Sequence, residues 1–192
     1  MNKIFALCFG LVMFVPFQVM AVKKTLGIKF EETMDVEGKK LTLNGMGIRK
    51  KEIALGFKVN VYVGAIYLEK TSNDAKAIIG SPETKLVKMV YAHGVDKETA
   101  RKTWQENFDK FCAKCEALKP QLESFKGMIE DMDPDNVQDF IFTGSKIKVN
   151  SKKKSKGEID SAEFQKFLLS IWLENAPNPE LKDGMLGTVI PD

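Results

Sequence analysis

Histidine is almost absent: His93 is the sole one in 192 residues. A metal site built on imidazoles therefore lacks its commonest ligand. Cysteine is scarce as well, at three. Cys8 sits deep in an apolar N-terminal segment, without the small residues a lipoprotein signal needs before its cysteine. Cys112 and Cys115 remain, spaced C-x-x-C. No strand and turn of the thioredoxin kind precede them, and Glu116 stands where a haem-attachment histidine would follow, so neither chemistry is supported. Charge of one sign is also lacking. Lys and Arg total 29 against 26 Asp and Glu, interleaved along the chain, for a formal net charge of +3. That balance leaves no nucleic-acid footprint. The one basic cluster, Lys152-Lys153-Lys154 with Lys156, reads as a solvated hairpin tip. Asp131, Asp133 and Asp135 alternate without the glycine and distal glutamate of a calcium loop. There is no internal repeat, low-complexity tract or linker, and no cofactor is implied.

Long apolar runs are confined to the start. After Met1–Lys3, Ile4 to Phe17 is apolar apart from Gly10 and Pro16, and Val19-Met20-Ala21 precedes Val22-Lys23-Lys24. The run is shorter than the ~20 residues a bilayer crossing needs. The pattern predicts a signal peptide, residues 1–21, cleaved after Ala21. It predicts export to a periplasm or secretion, a setting in which a Cys112–Cys115 disulfide is permitted. Cleavage leaves one domain, residues 22–192. Only Lys3 is lost from the charge count, so the net charge falls from +3 to +2. No integral membrane segment is expected in what remains.

The rest alternates between two periods. Thr25–Glu32 reads as a short strand, Val36–Lys39 as a turn, and Lys85–Tyr91 as a strand with Val87, Met89 and Tyr91 on one side. Asp96 opens a long helix whose stripe is Ala100, Trp104, Phe108, Phe111 and Cys115. A second helix follows Pro120. Phe140–Thr143, Ser145–Asn150 and Lys156–Ile159 read as consecutive strands. Asp160 with Glu163 predicts a capping box for a helix carrying Phe164, Phe167, Leu168, Ile171 and Trp172, and Leu181–Leu186 predicts a last helical turn. Strands, helices, strands and a helix make an α+β fold with an antiparallel sheet covered by helices. Trp104 and Trp172 read as core, and His93 as a loop residue.

Leu41–Glu69 is the most informative stretch. On strict alternation Leu41, Leu43, Gly45, Gly47 and Arg49 share one face, and Leu55, Phe57, Val59, Val61, Val63, Ala65 and Tyr67 form a second row. The first face begins apolar, loses its side chains at two glycines, and then presents a guanidinium. An inward arginine requires an anionic or carbonyl partner, because burying its charge unpaired is costly. The glycines are expected to clear space beside it, which predicts a binding cleft. A bulge at Gly45 or Gly47 would flip the face, and an internal carboxylate would make Arg49 structural.

Leu43–Arg49, Lys58–Val63 and Ile66–Glu69 resemble the start of the chalcone isomerase-like family. Gly157-Glu158-Ile159, Phe164, Ile171-Trp172-Leu173, Pro177 and Leu181 through Gly187 are similar to the end of its bacterial, exported members. The resemblance implies an open-faced β-sandwich, a large antiparallel sheet with a helical layer against it and a ligand cleft between them. It also implies two activities. Plant isomerases of the family close a chalcone by intramolecular phenolate attack, and related members bind fatty acids without catalysis. By the same resemblance Arg49 matches the arginine that grips substrate or carboxylate, and Tyr62 falls where the enzymes place a threonine. Ala100 falls where they place the catalytic tyrosine, with Thr99 and Thr103 as the nearest hydroxyls. Losing a proton-handling group commonly removes about two to four orders of magnitude of rate. The expected partner is thus a small apolar or amphipathic anion such as a fatty acid, held by Arg49, Tyr62, Thr99 and Thr103. An isomerase using Arg49 alone and a redox-responsive interaction protein using Cys112 and Cys115 are the alternatives.

Overall fold

Alternating apolar residues build a meander in which each strand of the large sheet lies beside its neighbour in sequence, joined by two-residue turns except where helices intervene before and after the chain's sixth strand. The structure is a computed structural model and describes residues 22–189; the expected leader lies outside the described residues. The strands are β1 (Val22–Thr25), β2 (Ile28–Glu31), β3 (Thr33–Val36), β4 (Lys39–Ala54), β5 (Phe57–Leu68), β6 (Lys85–Tyr91), β7 (Val137–Thr143), β8 (Lys146–Ser151) and β9 (Lys154–Asp160). β3 to β9 form one antiparallel sheet in that order, and β1 pairs with β2 in a separate hairpin. The helices are α1 (Ala75–Gly80), α2 (Lys97–Phe111), α3 (Lys119–Gly127), α4 (Ala162–Leu173) and α5 (Pro179–Met185). Among the described residues no helix is long and apolar enough to cross a membrane.

The period-2 pattern sorts side chains to two cores. Ile66, Val87, Met89, Phe140, Ile147 and Val149 meet the helices on one face. Leu41, Leu43, Met46, Ile48, Val63, Ala65 and Tyr67 meet Phe30 of the small hairpin on the other. On the helical face Trp104 of α2, Phe125 of α3, Trp172 of α4 and Phe140 of β7 interlock. Ring centroids lie 5.0 Å apart for Trp104–Phe125, 5.6 Å for Trp104–Trp172 and 5.2 Å for Phe140–Trp172. Such pairs contribute ~0.5–1.5 kcal/mol each beyond their area, and they tie three helices to one strand. Among the described residues these two cores hold the fold together.

Four expectations change. Thr25–Glu32 is not one strand: Leu26 and Gly27 both take positive φ, 52° and 76°, and make the tight turn between β1 and β2. The capping box on Asp160 is replaced by Ser161, whose side chain accepts from the Phe164 N–H, while Asp160 ends β9 and its carboxylate accepts from Ser145 Oγ at 2.5 Å. The row from Leu55 to Tyr67 is broken, because Leu55 and Gly56 form the β4–β5 turn and a register shift at Val61 leaves Val59 and Tyr62 opposite Lys51 and Arg49. The strict alternation of β4 fails at a second register shift, between Leu43 and Gly45. Leu41 and Leu43 therefore share their face with Met46 and Ile48, and Gly45, Gly47 and Arg49 turn to the helical side.

Candidate functional site

Gly45 and Gly47 do not open a cleft. A β-carbon at Gly45 would stand 2.2 Å from the Gly184 carbonyl oxygen, and one at Gly47 2.1 Å from that of Leu181. The missing side chains let the backbone of α5 lie directly on β4. Two asparagines tie the contact at the points where the ladder is irregular. Asn44 donates to the Met185 carbonyl at 3.0 Å and accepts from Ser72 N–H at 2.7 Å. Asn178 donates to the Ile48 carbonyl at 2.8 Å and accepts from Lys50 N–H at 3.1 Å. It thus clamps both neighbours of Arg49 at the second irregularity and fixes where that side chain leaves the strand. No sequence pattern singles out Asn178, because its partners are 128 and 130 residues away.

The cleft lies one step farther along the same strand. A cavity of about 430 Å³ opens between the β4–β5 end of the sheet and α2, within the ~300–1,000 Å³ usual for ligand sites. Arg49, Tyr62, Thr99, Thr103 and Ala100 all line it, so one cavity gathers all four expected ligand contacts. Met89, Tyr91 and Ile171 form a buried floor with Trp104, while Lys51, Ile53 and His93 stand at the exposed rim. Met89 and Tyr91 reach the cavity because β6 is the next strand after β5; their alternation was visible, but not which face the cavity occupies.

Arg49 and Tyr62 are directly opposite in register and both half-buried. Burial pulls the Arg49 guanidinium down from its ordinary value, with Tyr62 acting in the other direction. It stays charged at physiological pH. Its Nη1 donates to the Lys50 carbonyl, and among the described residues no carboxylate lies within ion-pair distance of it. Burial pushes the Tyr62 hydroxyl up to about 12, against the opposing pulls of the Arg49 charge and a hydrogen bond with the Trp172 indole. Tyr62 is therefore a neutral phenol beside a fixed cation. Tyr91, with its ring centroid 5.8 Å from that of Tyr62, has its hydroxyl committed to Gln138 Oε1 at 3.0 Å.

The threonines are placed on the cavity wall, but their bonds are local to α2. Thr103 Oγ1 donates to the Thr99 carbonyl at 2.9 Å, and Thr99 both backs and hydrogen-bonds the Asp96 cap. Cys112 and Cys115 form a disulfide where α2 ends, outside the cavity. Among the described residues no cluster of metal-ligating side chains is found.

A family model described as chalcone isomerase-like matches residues 22–187. The chain belongs to the chalcone isomerase-like family. No curated protein matches it. Among solved structures, the crystal structure of an Arabidopsis thaliana fatty-acid binding protein is similar, with a TM-score of 0.72 and 14% identity over 88% of this chain and 96% of that one. That likeness shows the chalcone isomerase-like fold, a large antiparallel sheet with helices against it. Within this family member the cavity-facing position of α2 at which the resemblance expects a catalytic tyrosine is Ala100, half-buried and without a proton to give.

Proposed function

We propose that the protein is a non-catalytic binder of a small apolar molecule with a carboxylate head, most simply a fatty acid, held in the cavity between the sheet and α2. The observation that carries this reading is Arg49, a half-buried cation with no carboxylate partner among the described residues, set beside a neutral phenol on an apolar-floored cavity. An anionic ligand completes it. The guanidinium keeps donors free beyond the one spent on Lys50, and Tyr62 adds a hydroxyl. The fatty-acid binding activity named for the similar Arabidopsis protein supports the choice of ligand class. Ala100 supports binding over isomerisation. The N-terminal pattern supports an exported setting, in a periplasm or secreted.

The test is to purify the chain from Val22, extract bound lipid for mass spectrometry, and titrate a fluorescent fatty acid. Acyl ligands are expected in the extract. Arg49→Ala is expected to weaken the titrated affinity by about 10- to 100-fold, the loss of a charge-assisted pair. An empty extract with unchanged affinity in Arg49→Ala contradicts the reading. Chalcone absorbance decaying faster than in buffer favours an isomerase.

A further inference from the structure

β4 and β5 run past the rest of the sheet. β6 pairs with β5 only from Tyr62 to Leu68, so the segment beyond Arg49 and Tyr62 stands out as a two-stranded ribbon. Its tip is apolar and in water. Leu55 is 96% exposed, Phe57 68% and Ile53 61%, three large apolar side chains within five residues. None of them serves either core. Leu55 also takes a positive φ of 50° in the turn with Gly56, a position a polar turn residue would ordinarily fill.

The base of the ribbon is cationic. Lys51 and Lys58 have no carboxylate within ion-pair distance among the described residues, and Lys50 reaches Glu180 at 3.3 Å. Glu52 is the one opposing charge on the ribbon. A groove of about 320 Å³ runs along this base, where Arg49, Lys50, Lys51 and Lys58 outnumber Glu52 and Glu180. Lys51 and Ile53 also form the rim of the ligand cavity.

We propose that this hairpin docks the protein on an anionic lipid surface, with Ile53, Leu55 and Phe57 among the acyl chains and the lysines at the headgroups. The dimensions fit. Leu55 lies four positions from Lys51, ~13 Å at the rise of a strand. Apolar faces of interfacial proteins sink ~5–10 Å. That depth covers the three apolar side chains and leaves the ammonium groups level with lipid phosphates. A protein partner fits less well, because a stable interface takes ~800 Å² from each side and the tip is one narrow turn. The docked pose sets the cavity rim against the membrane, giving an acyl ligand a path that avoids water. That last consequence rests on the binding function proposed above; the docking itself does not.

The test uses the chain from Val22 and vesicles of phosphatidylcholine with or without phosphatidylglycerol. Wild type is expected to pellet with the phosphatidylglycerol vesicles, and less so in high salt. The double variant Leu55→Asp/Phe57→Asp is expected to pellet at least about tenfold less. Lys51→Glu/Lys58→Glu is expected to lose the preference for anionic vesicles. The Asp variant should still bind fluorescent fatty acid in solution like wild type, since neither residue lines the cavity. Equal pelleting of wild type and the Asp variant overturns the proposal. So does a wild type that stays in the supernatant and self-associates through the tip, which would make a second copy the occupant. If wild type pellets as expected but binds no fatty acid, docking stands and the cavity's assigned ligand is wrong.

Discussion

Tyr62 decides how much head-group chemistry the cavity has beyond the arginine. Its bulk does not refill the site, because the phenol lies on the sheet opposite Arg49 and the cavity extends over both toward α2. Burial raises its pKa from 10.0 to about 12. The neutral form is therefore favoured by folding, a contribution fully present below about pH 10 and lost as the pH rises to about 12. Two units correspond to about 3 kcal/mol at most. Urea titrations of wild type should show the midpoint falling across that window, and Tyr62→Phe should flatten part of the fall. Burial raises Tyr67 and Tyr91 as well, so the difference between the two proteins is the quantity to read. An identical slope in the variant would mean that Tyr62 is not desolvated. Tyr62→Phe should also weaken a carboxylate ligand by ~0.5–1.5 kcal/mol, one hydrogen bond's worth. The arginine was legible as an inward cation in need of a partner. That no described Asp or Glu pairs with it was not, because that depends on which residues the fold brings near.

At the scale of elements, the junction of α5 with β4 holds the site in shape. Glycines at 45, 47 and 184 let two backbones touch, and Asn178 carries the register of the last turn into the strand beside Arg49. Gly47→Ala places a methyl against the Leu181 carbonyl, backbone against backbone, where neither side can yield cheaply. Overpacking of this kind costs ~1–3 kcal/mol, and each kcal/mol lowers the Tm of a domain this size by ~2–4 °C. Gly80→Ala is the control, since nothing lies within 4 Å of its added carbon. A thermal melt in which the two variants behave alike would refute the close-contact reading. Here the sequence misled in an instructive way. A glycine pair on a strand says that side chains are missing, and a helix about 140 residues away is what fills the gap. Strict alternation likewise could not locate the irregularity after Leu43, because Asn44 looks like any outward polar residue until its partners in Ser72 and α5 are known. By contrast β6, the stripe of α4 and that of α2 as far as Phe111 lie where their periodicity put them, since each meets one flat face; Cys115 falls outside α2, which ends at Phe111 before the disulfide.

At the scale of the whole molecule, the α+β architecture and the family were legible because short motifs recur in order along most of the chain. The gathering of Arg49, Tyr62, Thr99 and Thr103 on one cavity followed from the resemblance and not from any local pattern. The apolar hairpin tip escaped notice because Leu55 and Phe57 continue the apolar row of β5; only the turn at Leu55-Gly56 separates a core row from a projecting ribbon. On this reading the protein is a cavity with one half-buried positive charge, Arg49, its other charged lining residues Lys51, Asp96 and Glu106 being exposed, closed on one side by α2 and open beside the ribbon. The sharpest test of that claim is a displacement titration comparing a fatty acid with the fatty alcohol of the same chain length, on wild type and on Arg49→Ala. Wild type should prefer the acid by about 10- to 100-fold, from the charge-assisted pair alone, and Arg49→Ala should bind acid and alcohol with equal, weak affinity. Equal binding of the two ligands by wild type would contradict it.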